Sequence, residues 1–166
     1  MENKKYTVIF DLDGTLALNE HRQHFLKSPY DSKTVLPEDI KAKFENWKPD
    51  WNAFYEACDK DKPNLPVIEM CNVLYDAGYQ IVILSGRSYS VFRKTTDWLI
   101  KHEVKYHHLQ MRDIEDYTPD EILKLKWYSK SVIKDKVLCV FDDRQKVVDM
   151  WRNEGLTCFQ VASGKF

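Results

Sequence analysis

Short apolar segments alternate with longer segments of helical periodicity along most of the chain. Each short segment is continuously apolar, which is typical of strands that are covered on both faces. Helical segments between such strands indicate parallel crossover connections, so the sequence predicts an α/β sandwich with a central parallel sheet. The predicted strands cover residues 7–10, 80–84, 137–141 and 157–161, with a weaker fifth at residues 107–111.

The segments between the strands carry recognisable helix boundaries. Thr118, Pro119 and Glu121 supply an N-cap, a proline at the first helical position and a capping-box glutamate, which predict a helix that runs to about residue 133. The other helices are predicted over residues 37–47, 50–58, 66–77, 89–102 and 145–153. Residues 18–79 contain no convincing strand, and we interpret the part before the helix at 66–77 as an insertion.

Size and composition limit the possibilities. A chain of 166 residues that is 43% hydrophobic has the usual size of one globular domain, so we expect a single domain over residues 1–166. The formal net charge of −1 supplies no global field for nucleic acid, and any such contact must be local. The apolar runs are too short for a membrane span and the first residues do not resemble a signal peptide, which predicts a cytoplasmic protein without membrane contact.

Polar and charged residues directly follow four of the five predicted strands. Because ligands of open α/β sheets bind beyond the carboxyl ends of the strands, we expect these residues to converge on one site. They are, in chain order, Asp11, Asp13, Ser85, Gly86, Arg87, Arg112, Asp142, Asp143 and Arg144. One strand that ends in aspartate is commonplace, whereas two that end in paired carboxylates indicate a functional site.

Asp11 and Asp13 are two residues apart, so on an extended backbone their side chains point to the same side. Their carboxylates would repel each other unless a cation lay between them. Adding Asp142 or Asp143 gives an all-oxygen site of the kind that Mg²⁺ prefers, completed by waters and substrate phosphate. In the alternative interpretation, the first two aspartates are only turn formers beside Gly14.

Residues 8–15 have the form of an apolar strand followed by D-x-D-G-T, which resembles the first motif of the haloacid dehalogenase superfamily of phosphotransferases. The resemblance implies a Rossmannoid three-layer sandwich with a small helical cap inserted after the first strand. It implies that Asp11 is the nucleophile that becomes an aspartyl-phosphate, and that Asp13 is first a general acid and then a general base. The acidic pair Asp142 and Asp143 is implied to complete the Mg²⁺ site.

The same resemblance implies two further catalytic positions. Ser85 corresponds to a strand-ending serine that donates a hydrogen bond to the phosphate. Lys124 is our choice for the lysine that neutralises phosphate charge, because Asp120 lies one helical turn earlier and is placed to orient its ammonium group. Lys126 is the fallback, and Asp120 with Lys124 can also be interpreted as an ion pair on a solvated helix face.

A more specific resemblance is to the phosphatase domain of phage polynucleotide kinase-phosphatase enzymes, which remove 3′-phosphates from nucleic-acid ends. It rests on D-x-D-G-T-L-A at residues 11–17, P-Y-D at 29–31, G-Y-Q-I-V-x-x-S-G-R at 78–87, D-D-R-x-x-V-V-x-M-W-R at 142–152 and the ending at 160–166. The resemblance implies that Arg22 and Arg87 contact the substrate phosphate or nucleotide, since guanidinium groups suit phosphate oxygens.

Gly86, Asp120, Arg112 and Arg144 complete the predicted substrate-binding set. Arg112 follows a strand end and is placed either to meet substrate or to pair with Asp113 or Glu115. Arg144 is expected to orient the acidic loop or to pair with it, or to have a purely structural role.

Two departures from the phage pattern bear on the substrate. The accompanying kinase domain is absent from these 166 residues, so a separate kinase or ligase is an expected partner. Residues 34–62 enlarge the stretch after the first motif, so we expect the cap, at residues 18–64, to differ. This stretch combines aromatic and basic residues, namely Trp47, Trp51, Phe54, Tyr55, Lys41, Lys43 and Lys48. We favour an aromatic core under the cap, with base stacking as the alternative.

Three functions are compatible with the sequence. The first is a Mg²⁺-dependent phosphomonoesterase that acts on a nucleic-acid 3′-phosphate end through an aspartyl-phosphate. The second is a phosphatase of nucleoside monophosphates with the same chemistry. The net charge and modest size favour the second function, whereas the near full-length family resemblance favours the first. The third is a non-catalytic module that binds nucleic-acid ends, and the intact carboxylate cluster argues against it.

Overall fold

The computed structural model describes residues 6–28, 37–38, 47–131 and 136–164. These residues form a three-layer α/β sandwich around a parallel five-stranded sheet. In chain order the strands are β1 (Thr7–Phe10), β2 (Ala17–Leu18), β3 (Lys62–Pro63), β4 (Gln80–Ser88), β5 (His108–Arg112), β6 (Val137–Arg144) and β7 (Cys158–Gly164). The order across the main sheet is β5-β4-β1-β6-β7, which places β1 at its centre.

Helices cover both faces of this sheet. They are α1 (Trp51–Glu56), α2 (Leu65–Asp76), α3 (Phe92–Lys101), α4 (Asp120–Lys130) and α5 (Gln145–Asn153), with 3₁₀ helices at Glu20–Phe25, Ala57–Lys60 and Tyr89–Val91. Among the described helices, none has the length and apolar character needed to cross a bilayer.

The continuous apolar character of the strands follows from this two-sided cover. In β1, Val8 and Phe10 pack into a core with helices α2 and α3, whereas Ile9 points to the opposite face and packs against α5. Trp98 of α3 and Trp151 of α5 are fully buried, one on each face. The predicted sandwich with a central parallel sheet is therefore confirmed.

Several predicted boundaries shift in the structure. Strand β1 and helix α5 have the predicted bounds. Strand β4 continues through Ser85, Gly86 and Arg87, because Ser88 still pairs with Arg112 of β5 after a register shift. The predicted end of the helix near residue 133 and most of the helix predicted at 37–47 lie outside the described residues.

Two predictions are wrong. Residues 18–79 do contain strand, since Ala17 and Leu18 pair antiparallel with Pro63 and Lys62; two-residue strands are too short to give a periodic pattern. Thr118 does not cap α4, which begins at Asp120 without a side-chain cap. The backbone N–H of Thr118 instead donates to Oδ1 of Asp116 at 2.8 Å, so this residue belongs to the preceding turn.

Candidate active site

The carboxyl ends of β1, β4 and β6 meet at one edge of the sheet, where the chain encloses a cavity of about 530 Å³. Several of the predicted catalytic and metal-binding residues line it, namely Asp11, Asp13, Lys124, Asp142 and Asp143. The short distance between β1 and β6 in the sheet brings together residues that are more than 120 positions apart in the sequence. The predicted convergence of strand ends therefore occurs.

Three buried carboxylates form the floor of this cavity. One oxygen each from Asp11, Asp142 and Asp143 lie within 4.8 Å of one another. The Nζ atom of Lys124 donates to Oδ1 of Asp11 at 2.6 Å and to Oδ2 of Asp142 at 2.8 Å. Lys126 is exposed on the other side of α4, so the geometry selects Lys124 as the lysine of the site.

Burial and mutual repulsion raise the pKa values of two carboxyl groups in this cluster. Burial raises the pKa of Asp11 well above its usual range, and repulsion from Asp142 and Asp143 adds to the rise against the attraction of Lys124. Burial and Asp142 also raise the pKa of Asp143 to about 6. Burial alone would lower the pKa of Lys124, but the adjacent carboxylates reverse this and keep the ammonium group charged.

The donor set of the cluster fits a divalent cation. Within the described part of the chain, Oδ2 of Asp11 and Oδ2 of Asp143 are buried and receive no hydrogen bond. Buried carboxylate oxygens without a donor are costly, and a hard cation with oxygen ligands would satisfy them and offset the repulsion. Asp11, Asp142 and Asp143 are therefore the residues that could hold a metal ion.

The turn after β1 is packed directly against the acidic pair. Gly14 has a φ of +90°, and a Cβ atom at this position would lie 2.1 Å from Oδ2 of Asp143. The turn is closed by hydrogen bonds from the N–H groups of Leu16 and Ala17 to the carbonyl of Leu12, at 3.0 and 2.9 Å. Only glycine combines this backbone conformation with this close approach.

Asp13, which was also predicted as a metal ligand, lies apart from the three carboxylates that could hold a metal ion, because its side chain is held in a network with two buried arginines. Its Oδ1 accepts from Nη2 of Arg22 at 2.6 Å and from Nη2 and Nε of Arg87 at 2.6 and 2.9 Å. Burial alone would raise the pKa of Asp13, but Arg87 and Arg22 outweigh this and lower it to about 2. Asp13 is therefore a carboxylate at neutral pH.

A second carboxylate, Asp61, completes this network and was missed by the sequence analysis. Its Oδ2 accepts from Arg22 at 2.7 Å and from Arg87 at 2.6 Å, and its Oδ1 accepts from Nε of Arg22 at 2.7 Å. The indole Nε1 of Trp98 donates to the carbonyl of Asp61 at 2.8 Å. No sequence motif includes Asp61. Charge balance could have indicated a residue of this kind, because two buried guanidinium groups need more than one carboxylate.

Ser85, Arg22 and Arg87 lie behind the cavity rather than in its wall. All three side chains are fully buried, and none belongs to the lining residues. The Oγ atom of Ser85 accepts from the backbone N–H of Arg87 at 3.2 Å. The resemblance implied that both arginines contact the substrate phosphate. In the structure they instead bind Asp13 and Asp61.

Asp120 is held by two other predicted residues. Its carboxylate accepts from the guanidinium groups of Arg112 and Arg144, and no hydrogen bond joins it to Lys124. Nε of Arg112 also donates to the carbonyl of Gly86 at 2.8 Å. Asp120 therefore bridges the strand ends of β5 and β6 instead of orienting the lysine.

Gly86 is a position where a small change should disturb this bridge. A Cβ atom there would lie 2.5 Å from Oδ1 of Asp120, so alanine must displace the carboxylate from its arginines. We expect Gly86→Ala to lower kcat/KM by about 10²-fold, the scale of a displacement of about 1 Å near reacting groups. Steady-state phosphate release by the purified variant measures this effect.

Gly78→Ala is the matched control for Gly86→Ala. Gly78 has a φ of +92° with no atom within 4 Å of the added Cβ, so alanine should cost about 1–2 kcal/mol of stability through backbone strain alone. We expect this variant to keep its kcat/KM. Wild-type activity in Gly86→Ala would show that the position of Asp120 does not matter for turnover.

The aromatic residues of the insertion divide into two groups. Phe54 is buried under Arg22, whose guanidinium carbon lies 4.1 Å from the ring centroid, and Trp47 is half-buried. The predicted aromatic core is present at Phe54. Trp51 and Tyr55 are less buried than Phe54 and line the cavity together with it, and burial raises the pKa of Tyr55 to about 12. Lys48 is exposed, and Lys41 and Lys43 lie outside the described residues.

Comparison with known proteins gives a consistent family. Residues 50–166 match the family described as the polynucleotide kinase PNKP phosphatase domain. The chain is 30% identical over 149 residues to a protein of Autographa californica nuclear polyhedrosis virus described as "Putative bifunctional polynucleotide kinase/RNA ligase". That alignment covers 88% of this chain and 18% of the viral protein.

Solved structures agree with this relationship. A Pnkp1/Rnl/Hen1 complex contains a chain that is 32% identical with a TM-score of 0.73, and a Pnkp1/Rnl/Hen1 RNA repair complex contains one that is 31% identical with a TM-score of 0.74. Both alignments cover 100% of this chain, and they cover 49% and 45% of the respective relatives. The chain thus spans less than half the length of each of these relatives.

A more distant structure shows the fold alone. A haloacid dehalogenase-like family hydrolase from Streptococcus pneumoniae is 14% identical, with a TM-score of 0.60 over 95% of this chain and 84% of its own. The expected haloacid dehalogenase-like architecture is confirmed.

Proposed function

The chain belongs to the polynucleotide kinase PNKP phosphatase domain family, and on that premise we propose that it is a Mg²⁺-dependent phosphomonoesterase that removes the 3′-phosphate from nucleic-acid ends. The observation that carries the proposal is the contact of Lys124 with both Asp11 and Asp142 on the floor of an open cavity. A nucleophilic carboxylate, a fixed cation and free metal-binding oxygens occur there together.

In the first step, Asp11 attacks the phosphorus atom. A bond forms between a carboxylate oxygen of Asp11 and phosphorus, while the bond from phosphorus to the 3′-oxygen breaks and the alcohol leaves. Lys124 holds Oδ1 of Asp11 at 2.6 Å, which fixes the nucleophile and favours its ionised form despite burial. Mg²⁺ held by Asp11, Asp142 and Asp143 would supply further neutralisation of the phosphate oxygens.

In the second step, water hydrolyses the aspartyl-phosphate and restores Asp11. Asp13 suits the role of general base, because its pKa of about 2 leaves the carboxylate free to accept a proton from that water. Donation of a proton to the leaving alcohol in the first step requires Asp13 to be protonated beforehand. The phosphate of a bound substrate would add negative charge beside Asp13, which lines the cavity, and so raise its pKa towards that state.

The insertion provides one wall of the cavity in this proposal. Asn19, Trp51 and Tyr55 line the cavity from the segment between β1 and α2. We assign residues 18–64 the role of a cap that excludes water and selects the leaving group. Because the relatives include a protein described as a putative bifunctional polynucleotide kinase/RNA ligase, we expect a kinase or ligase activity to act on the end that the phosphatase produces.

A nucleoside monophosphate phosphatase is the second candidate. The cavity volume of about 530 Å³ lies within the range of about 300–1,000 Å³ typical of small-molecule sites. The net charge of −1 also gives a long polyanion no general attraction.

One assay separates the two candidates. Phosphate release is measured from a 3′-phosphorylated oligonucleotide and from 3′- and 5′-mononucleotides, at fixed salt, with Mg²⁺ or with EDTA. We expect the oligonucleotide to have the higher kcat/KM and EDTA to abolish turnover. Faster hydrolysis of free nucleotides would favour the second candidate, and full activity in EDTA would refute the metal site.

A further inference from the structure

Two exposed aromatic side chains face the catalytic cavity from different elements. Trp51 begins helix α1 and is 40% exposed, and Tyr117 lies in the loop between β5 and α4 and is 83% exposed. Both line the cavity that contains Asp11. A single exposed aromatic residue needs no explanation, but two in the wall of one catalytic cavity indicate a surface for a ligand.

Trp51 is held in a fixed orientation. Its ring packs edge-on against Phe54 at a centroid distance of 5.8 Å, and it packs at a tilt against Tyr55 at the same distance. The side chain of Asp50 accepts the N–H of Ala53 at 2.9 Å, which anchors the first turn of the helix. A rigid aromatic ring with a free surface loses little conformational entropy when a flat ligand binds.

The backbone around Tyr117 is also fixed, although its ring is exposed. Nη1 of Arg112 donates to the carbonyls of Asp116 at 3.0 Å and Thr118 at 2.5 Å, on either side of Tyr117. The carboxylate of Asp116 accepts the N–H of Thr118 and closes the turn. The loop therefore presents the tyrosine ring from a defined position.

The charges on this loop exclude a phosphate contact there. Asp113, Glu115 and Asp116 line the cavity beside Tyr117 and repel phosphodiester groups. Arg112, which lines the cavity next to this loop, is engaged by Asp120 and by three backbone carbonyls. The part of a nucleotide that this wall can bind favourably is its uncharged, flat base.

We propose that Trp51 and Tyr117 bind the nucleobase of the terminal nucleotide by stacking, and so select esters that carry a base next to the phosphorylated sugar. Every base has a flat aromatic face, so the contact is tolerant of sequence. The inference rests on the proposed function in that the substrate is a nucleotide phosphate. It adds that the base of the last nucleotide is one of the groups that the protein recognises.

The test compares substrates that differ only in the terminal base. The wild-type kcat/KM is measured for a 3′-phosphorylated oligonucleotide and for the same oligonucleotide with an abasic terminal sugar 3′-phosphate. We expect the ratio of the two values to be about tenfold or more in favour of the base, the scale of one stacking contact. Trp51→Ala and Tyr117→Ala should each lower this ratio towards one, whereas Trp51→Phe should keep most of it.

Tyr89→Ala is the matched control. Tyr89 is 50% exposed, similar to Trp51, but it stacks on Phe92 and does not line the cavity. This variant should keep the wild-type ratio. Tyr117→Ala should fold normally because the ring is largely exposed to solvent, so the test remains valid even if Trp51→Ala fails to fold. A wild-type ratio near one, or an unchanged ratio in both Trp51→Ala and Tyr117→Ala, would overturn the proposal.

The inference can fail independently of the proposed function. If the protein hydrolyses mononucleotides but not oligonucleotide ends, the 3′-end function is refuted. The base preference is then measured as the kcat/KM of a 3′-mononucleotide over that of ribose 3-phosphate, with the same variants. Loss of that preference in Trp51→Ala and Tyr117→Ala would still support the stacking site.

Discussion

Asp11→Asn is expected to lower phosphate release by about 10⁴-fold or more, the scale observed when the nucleophile of a covalent mechanism is removed. The amide that this substitution introduces has the same shape as the carboxylate, but it cannot form the acyl-phosphate because it is a poor nucleophile and carries no charge. The variant should remain folded, since it removes one negative charge from a crowded cluster. Single-turnover phosphate release and thermal unfolding measure the two effects.

Asp149→Asn is the corresponding control, because it makes the same chemical change on the exposed face of α5. Its carboxylate accepts from the side chain of Gln145, one helical turn earlier, at 2.7 Å. We expect wild-type activity. Substantial turnover by Asp11→Asn would place the nucleophile on another residue and would contradict the proposed mechanism.

Among the variants proposed for this protein, Lys124→Met is expected to lower the free energy of unfolding the most. It keeps most of the buried volume but leaves Asp11 and Asp142 without their shared cation. Removing one partner of a buried ion pair typically costs about 3–5 kcal/mol. Urea unfolding in EDTA at pH 7.5 measures this loss, and added Mg²⁺ should recover part of it because the metal restores positive charge to the cluster.

The loss in Lys124→Met should depend on pH with a definite sign. Folding raises the pKa of Asp11, chiefly through burial, and raises that of Asp143 to about 6, so the folded state binds more protons than the unfolded state between about pH 4 and pH 6. Their contribution to stability therefore falls as the pH rises through that window. Lys124 lowers the pKa of both carboxyls, so its removal raises them further and makes the fall steeper in the variant than in the wild type. The variant should be closer to wild type at pH 5 than at pH 7.5.

Lys126→Met serves as the control for this pair of measurements, since Lys126 is exposed on the same helix. Its effect on the free energy of unfolding should be small at both pH values. If Lys124→Met were as stable as Lys126→Met in EDTA at pH 7.5, the contacts of Lys124 with the two carboxylates would be energetically unimportant.

The sequence predicted the sheet and the floor of the site well, for a physical reason. A strand covered on both faces must be continuously apolar, and parallel strands place their carboxyl ends at one edge. Asp11, Asp142 and Asp143 could therefore be placed together although they are far apart in the chain. The family resemblance added Lys124, which the structure places in contact with two of them.

The partners of the arginines could not be predicted in the same way. Arg22 and Arg87 were expected to meet substrate, but Asp61 and Asp13 bind them in the interior. Pairing between charged side chains depends on how the insertion folds back onto the sheet, and no local pattern encodes that. The two-residue strands β2 and β3 escaped prediction because their pairing is likewise a tertiary contact.

The position of Asp61 has a consequence for how substrate enters. Its side chain ties Arg22 of the insertion to Arg87 of the central sheet, and its carbonyl is tied to Trp98 of α3. A hinge movement that swung the insertion away as a rigid body would separate buried opposite charges. Asp11 already lines an open cavity, so substrate access needs no such movement and turnover should not be limited by a large domain opening.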